Sequence, residues 1–239
     1  MPIEPNDNGD ASATRTGADA DAIARALRLM GGDGVVAAAR PIPLGASHHA
    51  VGRLCAAAAL RELTGRSPDV PRGGLGEPVW PPGIAGSISH DGRFAAAIVV
   101  RADSKLAGIG VDLIDGAQAV ATANGWSAYE EAWRGMRGPR DPTADGFRAA
   151  CLLGAKEAAV KLLSPMIGDL VEPADLHVAS TAKGDYVARL HVPPDRAGAE
   201  TFARITVRQS VMNNVVISLA CDRTTQFGVS SISGAKVRK

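Results

Sequence analysis

The period of the apolar positions changes several times along this chain, and each change marks an element boundary. Between Ala18 and Met30, Ile23, Leu27 and Met30 recur at helical spacing, and Gly31-Gly32 ends the pattern. Ser47 stands as an N-cap before a second predicted helix that runs to about Thr64 and is closed by Gly65. Its inward stripe is Val51, Leu54, Cys55, Ala58 and Leu63. Residues 66 to 86 are rich in Pro and Gly and predict one long loop. Three strands are expected next, over Ser87 to His90, Phe94 to Arg101 and Leu106 to Leu113. An irregular region with Trp126, Tyr129 and Trp133 and a second Pro/Gly-rich loop lead into a long helix from about Phe147 to Leu163. Strand-like segments follow near Leu176 to Ser180, Asp185 to Val192, Phe202 to Val207 and Val215 to Cys221.

Helix, three strands, helix, and three or four more strands is the order of an α+β fold built from two similar halves, each a helix on an antiparallel sheet. No residue-level repeat accompanies it. The expected organisation is a disordered N-terminus over residues 1–17, a first half over 18–115, a second over 116–223, and a flexible basic tail over 224–239. A site formed between the halves would draw residues from both.

Composition narrows the function classes. With 46% hydrophobic residues in a chain of 239, a core of ordinary size is available. Aromatic content of 4% argues against base-stacking surfaces for nucleic acid, and 26 basic against 25 acidic residues leave no overall field for a polyanion or a membrane surface. The three cysteines, Cys55, Cys151 and Cys221, lie far apart in apolar runs and predict no disulfide framework. The N-terminal sequence has no basic segment followed by an apolar one, and no run reaches the length of a membrane span, so the expected compartment is the cytoplasm.

Four clusters could carry chemistry. Gly83-Ile84-Ala85-Gly86-Ser87-Ile88-Ser89-His90-Asp91 puts small residues, two hydroxyls and an imidazole at a strand end, which suits a phosphate and equally suits a tight turn. Gly108-Ile109-Gly110-Val111-Asp112-Leu113-Ile114-Asp115 ends an apolar strand in a carboxylate, and alternation puts Asp112 opposite Val111 and Leu113 on the face of Ile114. Asp112 there could hold a hard cation or simply close a turn. In Gly154-Ala155-Lys156-Glu157-Ala158-Ala159-Val160-Lys161, Glu157 and Lys161 share a helix face at the spacing of an ordinary ion pair, on a helix otherwise nearly all apolar. Arg53 is the main charge over two turns of the second helix, a guanidinium for a phosphate or a snorkelling surface arginine.

As an ordered set, GRLCAAAAL at 52–60, EPVWPPGIAGSISHDGRFAAAIVV at 77–100, GIGVDLID at 108–115 and AKEAAVKL at 155–162 resemble the motifs of the enterobactin and surfactin type of 4′-phosphopantetheinyl transferase. The resemblance covers most of residues 48–165 and weakens beyond. It implies a pseudo-dimeric α+β fold with coenzyme A in the cleft between halves. It further implies Asp112 and Glu157 as ligands of Mg²⁺, with Lys156 and Lys161 at the coenzyme and Ser89, His90 and Arg53 on its phosphates. Glu157 is the first choice of base, and the acceptor would be a serine of an acyl or peptidyl carrier protein of fatty acid, polyketide or nonribosomal peptide synthesis. A monomer is the simplest expectation, since a pseudo-dimer satisfies its own interface. Three departures stand out. Ile114 occupies the place of a second acid two residues after Asp112. Gly45, Ala46 and Ala57 stand where relatives carry basic residues, so coenzyme A binds more weakly or His48 and His49 substitute. Gly154-Ala155 replaces an aromatic or hydroxyl residue. These departures motivate an alternative, a binding module of the same fold that holds coenzyme A or a carrier without chemistry.

Overall fold

The computed structural model describes residues 8–102, 108–116, 142–190 and 204–222. The segment with Trp126, Tyr129 and Trp133, residues 1–7 and the basic tail lie outside them. The elements in chain order are α1 (Asn8–Gly31), β1 (Val36–Pro41), α2 (His48–Thr64), β2 (Ile84–His90), β3 (Phe94–Arg101), β4 (Gly108–Asp115), α3 (Pro142–Ile167), a 3₁₀ turn (Pro173–Asp175), β5 (Leu176–Ser180), β6 (Tyr186–Leu190), β7 (Arg204–Met212) and β8 (Val215–Asp222). They form two antiparallel sheets, β1-β3-β2 and β4-β8-β7-β6-β5, giving the α+β pseudo-dimer expected.

Strand β3 explains how the layers stack. It is buried on both faces, so its alternation serves two cores rather than one. Ala95, Ala97 and Val99 pack against Val51, Cys55, Ala56, Ala59 and Leu60 of α2. Phe94, Ala96, Ile98 and Val100 face a central core completed by Ile23 and Leu27 of α1, Val111 and Leu113 of β4 and Ile217 of β8. A third core lies beneath α3, where Ala155, Ala158, Ala159 and Leu162 meet Ile205 and Val207 of β7. Each fully buried Leu, Ile or Val contributes about 1.5–3 kcal/mol. Helix α2 has the caps foreseen: the Ser47 hydroxyl accepts from Ala50 N at 3.3 Å, and Gly65 takes a left-handed φ of 75°.

Several features differ from the sequence reading. Strand β1 was not foreseen, because its alanines carry no alternation signal. Helix α1 begins at Asn8, a polar stretch without apolar periodicity, where disorder was expected. Strand β2 starts at Ile84, inside the predicted loop. The third predicted strand, β4, leaves the first sheet and hydrogen-bonds to β8, so the second sheet has five strands.

The two sheets meet edge to edge where β2 and β4 run side by side without a backbone ladder. Instead, Val111 N donates to the Ser87 hydroxyl and Leu113 N to the Ser89 hydroxyl, both at 3.1 Å. Serine side chains thus satisfy the buried edge amides of β4. Arg93, in the β2–β3 turn, adds a second tie through Asp115 at 3.0 Å. Among the described residues, no helix is long and apolar enough to cross a membrane.

Candidate active site at the junction of the two halves

Helix α3 crosses the even-numbered face of β4 closely because that face begins with glycines. A Cβ at Gly110 would overlap the carbonyl oxygen of Ala158 and come within 2.8 Å of Leu162 N. With glycine there, the helix descends until the next position, Asp112, meets Lys161. Lys161 Nζ donates to Asp112 Oδ1 at 2.6 Å and to Ser89 Oγ at 2.9 Å. The Ser89 hydroxyl donates to the same Asp112 oxygen at 2.9 Å. Asp112 is buried to 6% exposure, so its charge is compensated by an ammonium and a hydroxyl, as a buried carboxylate requires. Ile114, one pair further along this face, packs with Phe147, Ala150, Cys151 and Val216.

Glu157 lies one turn before Lys161 on α3 and is half-buried. Its carboxyl is pushed above the ordinary value near 4.5, first by burial and then by the Asp112 charge, with Lys161 opposing. Among the described residues it accepts no hydrogen bond. The site therefore holds two carboxylates that feel each other's charge, one paired with an ammonium and one that among the described residues has no donor.

Above this cluster opens a cleft of about 870 Å³. Lys161 and Ser89 belong to its wall, joining the buried carboxylate to the open space, and His49, Arg53 and His90 line it from the first half. Gly86 gives the indole of Trp80 room to lie on β2, where a Cβ would stand 2.7 Å from the ring. Met166 and Leu170 contribute an apolar, partly exposed rim from the second half. A large, mostly apolar cleft with a few converging cations suits an extended anionic cosubstrate.

Of the residues singled out in the sequence, Asp112, Glu157, Lys161, Ser89, His90 and Arg53 gather at or beneath this cleft. Lys156 does not: its Nζ donates to the carbonyl of Pro173 at 2.9 Å. Arg53 already donates to the Val70 carbonyl. Ser89 spends its one hydroxyl proton on Asp112, which makes it a positioning residue for the carboxylate and ammonium rather than a donor to phosphate. The sequence reading missed the tie from Ser87 to Val111. Its signal was the Ser-Ile-Ser alternation, which puts both hydroxyls on one face of β2.

Removing the Ser89 hydroxyl strands the Leu113 amide in the seam. Ser89→Ala is expected to cost about 1–3 kcal/mol, read as a fall in Tm of roughly 2–12 °C for a chain of this size. An unchanged melt would mean that the seam does not depend on this bond.

Residues 46–100 match the family model described as the 4′-phosphopantetheinyl transferase N-terminal domain. Over 189 residues, 75% of this chain and 73% of the relative, the sequence is 31% identical to the 4′-phosphopantetheinyl transferase Svp of Streptomyces mobaraensis. The chain belongs to the 4′-phosphopantetheinyl transferase family. The N-terminal family match ends within β3, while the wider similarity spans 73% of the relative's length. Transferases of this family use coenzyme A as a substrate.

Proposed function

We propose that this transferase moves 4′-phosphopantetheine from coenzyme A to a serine of an acyl or peptidyl carrier protein, releasing 3′,5′-ADP. The observation that carries this reading is the Ser89–Asp112–Lys161 cluster with Glu157 beside it, seated beneath the inter-half cleft.

The donor set fits Mg²⁺. Two carboxylates are too few to enclose a cation, and no group of three or more His, Cys, Asp or Glu residues with metal-site geometry occurs among the described residues. Magnesium suits such a site because it keeps several waters and takes phosphate oxygens as ligands. Asp112 and Glu157 would hold it, and when bound it would offset the charge that builds on the pyrophosphate.

The chain's own groups supply the rest. Lys161 has three N–H donors and spends two on Asp112 and Ser89, which leaves one for a pyrophosphate oxygen. Glu157 takes the proton of the carrier serine hydroxyl, and a carboxylate with a raised pKa is the stronger base for that step. The serine oxygen then bonds to the β-phosphorus as its bond to the oxygen bridging to the α-phosphorus breaks. 3′,5′-ADP leaves with the bridging oxygen. Arg53 and His90 hold phosphates of coenzyme A from the opposite wall.

The test is mass spectrometry of an apo carrier protein incubated with the chain, coenzyme A and MgCl₂. The carrier is expected to gain one phosphopantetheine, and Asp112→Asn to slow that gain by about 100-fold or more. Coenzyme A bound without any gain, across several carriers, would favour the binding module instead. Ile114, packed into an apolar cluster where relatives carry an acid, would then be the reason.

A further inference from the structure

The five-stranded sheet is covered on one face by α3 and on the other only in part. Helix α1 roofs that outer face over β4 and β8, where Ile23 and Leu27 meet Val111, Leu113 and Ile217. It reaches β7 at its own C-terminal end, where Arg208 donates to the Met30 carbonyl. Past that contact His177 and Ala179 of β5, Arg189 of β6, and Arg204 and Thr206 of β7 are all exposed. Ladder pairing sets His177 opposite Arg189 and Arg189 opposite Arg204, and directly opposite residues share a face. Their sequence neighbours Leu176, Ala188 and Ile205 are buried beneath α3, which puts the three charged or polar side chains on the outer face. Two guanidiniums and an imidazole therefore stand in one row across three strands.

Like charges directly opposite on adjacent strands oppose folding, so the Arg189–Arg204 pair costs the free chain stability. Among the described residues neither guanidinium has an acidic partner. Asp175, two residues before His177, is engaged with the Glu172 amide at 2.9 Å. The sequence beyond β8, residues 223–239, adds Arg223, Lys236, Arg238 and Lys239 and no acid. Strand β8 ends one residue past the Cys221–Thr206 pair, so that basic stretch begins at the Arg204 end of β7. We propose that the outer face of β5, β6 and β7 is a docking surface for an acidic helix of a partner protein, gripped by Arg189 and Arg204 with His177 beside them. Spacing selects the helix. Adjacent strands lie about 4.8 Å apart, and side chains at i and i+4 of a helix stand about 5–6 Å apart. Successive acids of one helix face thus meet successive strands, and each guanidinium can hold its carboxylate through two N–H donors. The next row along, Ala179, Val187 and Thr206, offers no ring for a base to stack on and no large apolar side chain to enter a lipid surface. The surface lies on the side of the sheet away from α3, so its occupant leaves the cleft free, whatever reaction runs there.

The experiment is fluorescence anisotropy of labelled peptides titrated with the full chain at about 50 mM salt, where surface charges are only lightly screened. The probe is an alanine-based helix with Glu at every fourth position, and its control has the same composition with the Glu residues scattered around the helix. Wild type is expected to bind the striped helix about tenfold more tightly than the scattered one, and Arg189→Gln/Arg204→Gln to lose about that factor. The same variant should melt at or above the wild-type temperature, because the opposed charges are gone. Equal binding of the two peptides, or equal binding by wild type and variant, would overturn the proposal. A variant that melts lower would overturn it too, since the row would then be paired within the chain. Phosphatidylserine vesicles and a single-stranded oligonucleotide, titrated in place of the peptide, should bind more weakly than the striped helix. Tighter binding of either, lost in the variant, would replace the helix by a phosphate-bearing partner and overturn the proposal.

Discussion

Replacing Glu157 by Gln is expected to abolish carrier modification while making the protein harder to melt at neutral pH. The loss of transfer should reach about 100- to 10,000-fold, the range over which a general base contributes. The gain in stability follows from the direction of the carboxyl's shift. Its folded-state pKa lies above the unfolded one because burial and Asp112 oppose its charge. The stability linked to this group is therefore present below the unfolded value and is lost as pH rises through the folded value. Above the folded value the wild type carries the whole penalty, and the glutamine variant carries none. Differential scanning calorimetry across pH should show the Tm of Glu157→Gln above wild type at pH 7 and the two curves converging as pH falls below the ordinary Glu value of about 4.3. Mg²⁺ held by Asp112 and Glu157, as proposed above, would supply the missing compensation, so saturating MgCl₂ with coenzyme A should stabilise the wild type more than the variant. A variant that melts below wild type at neutral pH would show that Glu157 is a structural partner rather than a stored base.

The second large effect is expected at Gly110, which is not among the residues lining the cleft. Gly110→Ala drives a methyl into the backbone of α3, where the atoms in the way are a main-chain carbonyl and amide, not the end of a pliable side chain. The helix has to move off the strand, at a cost of about 1–3 kcal/mol. Lys161 moves with it, and its contact with Asp112 lengthens. Since misplacement by about 1 Å can cost a hundredfold in rate, kcat/KM should fall by that order even at temperatures where the variant remains folded. Circular dichroism melts and transfer kinetics on one preparation separate the two losses. Wild-type kinetics in this variant would refute the idea that the close approach of α3 sets the site.

Much of the candidate site was legible because its signals are local. The alternation around Asp112 correctly opposes it to Val111 and Leu113, which lie in the central core while Asp112 meets α3. The spacing of Glu157 and Lys161 was legible for the same reason, as were the caps of α2 at Ser47 and Gly65. What depends on pairing was not. Strand β4 is buried on both faces, so its pattern cannot say which sheet receives it, and it joined β8, about a hundred residues away in sequence. Lys156 illustrates a similar limit, since its neighbour Glu157 points toward the junction while its own ammonium turns to Pro173. Ser89 was assigned to phosphate from its place in the motif, and only the three-dimensional arrangement reveals that its proton is already committed.

The serine-bridged seam between β2 and β4 also has a consequence in time. Successive amides of β4 point to opposite sides, so those of Val111 and Leu113 face Ser87 and Ser89 while those of Gly110 and Asp112 face β8. Solvent deuterium can reach the first pair when the halves merely part along the seam, but the second pair only when the five-stranded sheet itself opens. One strand thus carries two clocks. Their difference measures how often the seam between β2 and β4 parts without the five-stranded sheet opening.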